Sequence, residues 1–175
     1  LEVIDSYEKI LDIRIIKQSD GLIDEAMNLI FSNSSSDILL TTDDEIPSFN
    51  WIEDHLKFHE RFENVGVVRG KVIKKSQAVK RRSYKQLIKR IIYRPYSDIF
   101  KDYYGYLTVF GIPTDREAVI PKGGFIKTIA LAYENLSVKY NVYKDFRVPC
   151  YSLRGFHSED MLALHAIKKG FLQLK

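Results

Sequence analysis

Short apolar runs alternate along this chain with stretches where apolar residues return every three or four positions. The runs at Ile13, Ile15 and Ile16, at Ile38 to Leu40, and at Val65 to Gly70 predict strands. Between them, Leu22, Ile23, Ala26, Met27 and Ile30 fall on one face of a helix over Leu22 to Phe31, with Ser19 or Asp20 available to cap its start. Phe49, Trp51, Ile52, Leu56 and Phe58 predict a second helix beyond Pro47. Strand, helix, strand, helix, strand is the order of a parallel α/β sheet flanked by helices. Residues 1–10 fit either a strand or a helix. Farther along, Tyr106 to Phe110 predicts a strand. Ser158, Glu159 and Asp160 then open a helix that ends before Gly170, because an acidic first turn suits the positive end of the helix dipole and glycine suits the exit.

A chain of 175 residues with 45% hydrophobic content can bury one sizeable core, which predicts a single domain over 1–175. No run approaches the roughly 18 apolar residues needed to span a bilayer, and the residues after Leu1 lack a basic-then-apolar signal pattern. The expectation is a cytoplasmic protein, soluble or resting on the inner membrane surface. Cys150 is the only cysteine, so no internal disulfide forms. Asn135-Leu136-Ser137 spells a glycosylation sequon, read here as chance.

Charge changes the picture more than composition does. Residues 69–94 carry 11 Lys or Arg and no acid, so the formal +4 leaves 16 basic against 23 acidic residues elsewhere, a net of −7. Inside this basic insertion, at about 71–96, Leu87, Ile88, Ile91 and Ile92 form an apolar stripe. Three readings stay open: a solvated helix face, attachment to anionic lipid headgroups, or nucleic-acid phosphate neutralisation with Tyr84 and Tyr93 stacking on bases. No paired CxxC or RNP motif supports the last.

Two acidic groups carry the candidate chemistry. Asp43, Asp44 and Glu45 directly follow the strand at Ile38, where the chain leaves the sheet. Adjacent carboxylates repel unless water dilutes the charge or a cation cancels it, and hard divalent metals with nucleotide phosphates do the latter. A solvated helix-capping turn is the alternative. Glu159 and Asp160 form the second group; a carboxylate within reach of a hydroxyl can take its proton, although helix capping also accounts for acids there. Gly123 and Gly124 permit a tight turn or a close backbone approach to a ligand. His157 lies three residues before Asp160, and His55 and His59 are spaced i, i+4, but HExxH is absent. Ordinary hydrogen bonding is the reading for these and for His165.

Taken together, these segments resemble family 2 of the GT-A-fold nucleotide-sugar glycosyltransferases over most of the chain. DILLTTDDEIPSFNW resembles that family's apolar strand, D-x-D motif, proline and Trp-Leu-like pair, and Asn64 to Gly70 its next strand. Asp20-Gly21 through Ala26 and Asn28 is similar to the helix before the metal loop. Gly123-Gly124-Phe125 resembles a segment beside the donor sugar, and Glu159-Asp160-x-x-Leu with Lys169-Gly170-Phe171 resembles the ED motif.

The resemblance implies a GT-A-like (Rossmann-like) α/β fold with a mostly parallel sheet, whose opening strand and loop are short or absent here. It implies inverting sugar transfer from a nucleotide-sugar donor to a glycan, lipid or protein acceptor, dependent on Mn or Mg. Asp160 then corresponds to the general base, with Glu159 supporting it. Asp43, Asp44 and Glu45 correspond to the metal ligands, and Asp43, Asp20, Gly21, Gly123 and Gly124 to the donor site. Anchoring the register on Pro47 puts Thr42 where family members carry a first Asp and makes Asp44 the principal ligand; an Asp43-x-Glu45 register shifts the set by one residue. The competing expectation is a non-catalytic domain of the same fold that docks on membrane or nucleic acid through residues 71–94.

Overall fold

The computed structural model describes residues 6–42, 46–70, 92–115, 124–131, 133–149 and 158–174. In chain order the elements are α1 (Ile23–Asn33), β1 (Ile38–Thr42), α2 (Trp51–Arg61), β2 (Val65–Arg69), a 3₁₀ turn (Asp98–Phe100), β3 (Gly105–Leu107), β4 (Pro113–Asp115), β5 (Asn135–Lys139), α3 (Tyr140–Tyr143), α4 (Ser158–Lys168) and β6 (Leu172–Leu174). Among the described residues, no helix is long and apolar enough to cross a membrane.

The main sheet has the order β1-β5-β2-β6, and β3 pairs with β4 in a separate antiparallel ribbon. Helix α2 carries the chain from β1 to β2 in the same direction but leaves a gap one strand wide. β5 fills it from the opposite direction, antiparallel to both neighbours, while β6 lies parallel to β2. The sheet is therefore α/β but mixed, which corrects the expectation of a mostly parallel one. The strand expected at Ile13 to Ile16 is absent too: that stretch has no regular structure and exposes Ile15 and Ile16. β3 likewise ends at Leu107, short of the strand expected to run to Phe110.

Helix α1 buries Asp24, Met27 and Phe31 and exposes Ile23, so its inner face is turned from the one its apolar residues predict. Its start differs as well. Leu22 occupies the N-cap without a side-chain bond, and the Glu25 carboxylate reaches back instead, accepting from the Ser19 amide (2.8 Å), the Ser19 hydroxyl (2.6 Å) and the Asp20 amide (2.7 Å). Gly21, at φ 67°, makes the turn between them.

Helices α1, α3 and α4 cover one face of the sheet, where Phe31, Tyr143, Leu162 and Ala166 pack with Val67, Leu136 and Val138. Helix α2 covers the other, with Phe58 and Phe62 against Val65, Val68 and Leu174. Val65 and Val67 can serve opposite faces because the β2–β6 register shifts between them, leaving Gly66 unpaired. On the α2 face, the fully buried Ser137 hydroxyl meets His55 Nδ1 at 2.7 Å and His59 Nε2 at 2.9 Å. Burial, with smaller contributions from the Lys139 and His55 charges, holds His59 down to about 4. Helix α4 ends as the sequence predicts: Gly170 takes φ 85°, its amide donates to Ile167 (2.9 Å), and the Phe171 amide donates to Ala166 (3.0 Å), a Schellman closure.

Candidate functional site

Strand direction determines which residues share an edge. β1 and β2 point the same way, so Thr42 and Arg69 end at one edge of the sheet, and β5 enters there. Helix α4 runs back along the sheet and turns at Gly170 into β6, so its amino end returns to that edge. Helix α1 leads into β1 by a short loop, and its first turn arrives from the same side. This is the edge where open α/β sheets tend to hold ligands.

Direct bonds tie the edge together. Thr42 faces Asn135 across the ladder, and the Gly70 amide donates to the Asn135 carbonyl at 2.9 Å. The Asn135 side-chain oxygen accepts from Trp51 Nε1 at 2.9 Å and meets His55 Nε2 at 3.0 Å, while a Cβ at Gly70 would overlap that carboxamide. Thr41, two residues before Asp43, donates its hydroxyl to the Tyr133 carbonyl at 2.6 Å. Arg69 donates to the Ala130 carbonyl at 3.0 Å and lies 3.7 Å from Glu134.

Tyr133 links this edge to the start of α4. Its buried hydroxyl lies close enough to Ser158 for the serine to favour ionisation, yet it makes no well-aligned hydrogen bond among the described residues. Burial pushes the phenol well above its ordinary range, and the charges of Glu159, Asp24 and Asp160 push it further. Ser158, Glu159, Asp24 and Asp160 thus all act on this one hydroxyl. Asp24 is fully buried, and neither of its carboxylate oxygens has a hydrogen-bond partner among the described residues. Glu159 is also pushed up, first by burial and then by the Asp160 charge, against the opposing pull of its own backbone amide and Ser158. Asp160 is buried, at 8% exposure, one residue deeper in the helix.

Glu159 and Asp160 thus stand at the edge where β1 ends at Thr42. Asp43, Asp44, Glu45 and Gly123 lie outside the described residues. Asp20 and Gly21 form the turn into α1; Asp20 is exposed, and its amide rather than its carboxylate is engaged, with Glu25. Gly124 is exposed, and its neighbour Phe125 packs at 5.8 and 5.0 Å on the rings of Phe58 and Phe62, on the sheet face opposite α4. His165 pairs with Asp145 at 3.2 Å, and His55 and His59 serve the Ser137 network, while His157 lies outside the described residues.

Among the described residues, no group of three or more His, Cys, Asp or Glu side chains converges as a cation site. The oxygen donors around Tyr133 have the hardness that Mg and Mn prefer, but they do not form a ligand set by themselves. Sequence reasoning passed over Tyr133 and Asp24. Nothing around Tyr133 marked it, but Asp24 carried a signal: it lies three residues before Met27 and seven before Phe31, in line with the buried face. No family model, curated protein or solved structure matches the chain.

Proposed function

We propose that the protein transfers a sugar from a nucleotide-sugar donor to an acceptor hydroxyl with inversion at the anomeric carbon, and that Asp43, Asp44 and Glu45 would hold a Mn or Mg ion. The observation that carries this reading is the junction at Tyr133. Its backbone accepts from Thr41 near the end of β1, and its buried hydroxyl feels Ser158, Glu159 and Asp160 at the start of α4, which supports a reading in which the chain running on toward Asp43 leaves β1 beside that helix end.

The chemistry needs such a pairing. A sugar hydroxyl is a weak nucleophile; a carboxylate within hydrogen-bond reach accepts its proton as the new bond to the anomeric carbon forms. The bond to the diphosphate breaks on the opposite side, and the leaving oxygen gathers negative charge. A divalent ion bound at the acidic loop would offset that charge. Asp160 is the proposed base. Glu159, whose carboxyl is held above its ordinary range by burial, would support it from the preceding helix position.

Incubation with labelled nucleotide sugars and Mn, followed by separation of products, tests the reading. Transfer is expected for the native chain and a loss of about 10²-fold or more for Asp160→Asn, the ordinary contribution of a general base. Unchanged transfer in Asp160→Asn removes the proposed base. Failure of the native chain to bind any nucleoside diphosphate, with or without Mn, removes the donor site as well.

A further inference from the structure

The ribbon of β3 and β4 ends in a turn that breaks the usual chemistry of turns. The Gly111 amide donates to the Thr108 carbonyl at 2.9 Å, the Thr108 amide donates to Ile112 at 3.0 Å, and Gly111 sits at φ 73°. This is the three-residue hairpin loop closed by a left-handed glycine. Its two corners are Val109 and Phe110, and Ile112 follows, whereas exposed corners ordinarily carry Gly, Asn, Asp, Ser or Pro. Phe110 is 63% exposed and Ile112 50%.

The turn is held in shape rather than loosely draped. Thr108 is fully buried, and its hydroxyl accepts from the Ile112 amide at 3.1 Å. A neighbouring strip of chain is stitched alongside: the Val109 amide donates to the Arg94 carbonyl at 2.9 Å, the Tyr96 amide to Leu107 at 2.8 Å, and the Tyr106 hydroxyl to the Tyr93 carbonyl at 2.6 Å. Tyr93 and Tyr96 are both exposed there. Two aliphatic side chains, a phenylalanine and two tyrosines are therefore exposed together on backbone segments bonded to one another, a patch at the tip of the ribbon.

The charge of the chain that leads into this patch identifies what covers it. Residues 70–94 carry 10 Lys or Arg and no acid in sequence, and they end where the Val109 amide donates to the Arg94 carbonyl. Of the nearby acids, Asp98 is paired with Lys101 at 3.2 Å, and Asp115 closes β4 at the end away from the turn. Protruding Val, Phe and Ile gain by entering hydrocarbon, tyrosines favour the headgroup level, and a run of Lys and Arg draws the face to anionic headgroups. Nucleic acid satisfies the cations but offers nothing to Val109 and Ile112.

We propose that the Val109–Ile112 turn, with Tyr93 and Tyr96 beside it, is a peripheral membrane-docking element that inserts into a bilayer rich in anionic lipid. This is independent of sugar transfer and stands or falls separately from it. The test is sedimentation of the full chain with phosphatidylcholine vesicles and with vesicles that also contain phosphatidylserine, together with fluorescence of a Phe110→Trp variant read alongside the native chain. Binding to the anionic vesicles, weakened by salt and lowered about tenfold or more by Phe110→Ser, with a blue shift of the new tryptophan, is the expected result. Phe110 supports no core, so circular dichroism of Phe110→Ser should match the native chain. Three outcomes overturn the proposal: no vesicle binding, vesicle binding indifferent to Phe110→Ser, or a blue shift that appears with protein concentration alone, which would make the patch a contact between copies.

Discussion

At the scale of single residues, Glu159 is informative because two measurements on it separate structure from chemistry. Its carboxyl is held above the ordinary range by burial and by Asp160, so the folded chain takes up a proton more readily than the unfolded chain does. Stability from this group is then greatest at low pH and declines as pH rises through the shifted value. Glu159→Gln is accordingly expected to raise the unfolding midpoint at neutral pH, with the gain shrinking below the ordinary glutamate range. Urea titrations of both chains at several pH values check this, and a gain that does not change with pH counts against it. The same substitution is expected to lower sugar transfer while the fold improves, a trade commonly found where polar groups are kept for function. Asp24 is the other buried acid near Tyr133, and neither of its side-chain oxygens finds a hydrogen-bond partner among the described residues.

At the scale of elements, α2 is fastened to the sheet by imidazoles rather than by an apolar seam alone. Keeping His59 at about 4 against an ordinary 6.5 contributes about 3 kcal/mol at neutral pH, present in full above pH 6.5 and lost as pH falls toward 4. Chemical denaturation between pH 7 and pH 4.5 should show that loss, and His59→Gln should flatten the slope. Two glycines make a second comparison. At Gly170 a new Cβ meets open space, so Gly170→Ala suffers only from its left-handed backbone, about 1 kcal/mol. At Gly66 it would lie 2.7 Å from Phe171 and 2.8 Å from Val142, so Gly66→Ala adds overpacking and is expected to cost about 2–3 kcal/mol; thermal melts of the two variants test the order. Helices α2 and α4, with β1 and β2, could be read from the sequence because local periodicity and end residues specify them. β5 could not: Asn-Leu-Ser-Val-Lys holds only two apolar residues, and what makes it a strand is the gap between β1 and β2. The apparent sequon inside it is a packing unit, with Asn135 bonded to Trp51 and Ser137 to two histidines.

At the scale of the whole molecule, the candidate site was half legible. The acids of α4 announce themselves in sequence, but their meeting with the end of β1 depends on Tyr133, whose neighbours come from α1, β1 and α4 and share no local pattern. Asp24 was passed over although it lines up with Met27 and Phe31, since an acid in the first turn of an amphipathic helix is usually solvated. The exposed side chains at 109–112 can likewise be assigned to a surface only once Thr108 is seen to be buried. The position of β5 has one more consequence. It is the strand that joins β1 to β2, yet ribosomes deliver it long after both, so a nascent chain holds two unjoined strands with open edges until residue 139 emerges. Sheets completed by late, distant pairing fold slowly and are prone to associate wrongly in the meantime. A chain stopped at Leu131 is therefore expected to precipitate or to be held by chaperones.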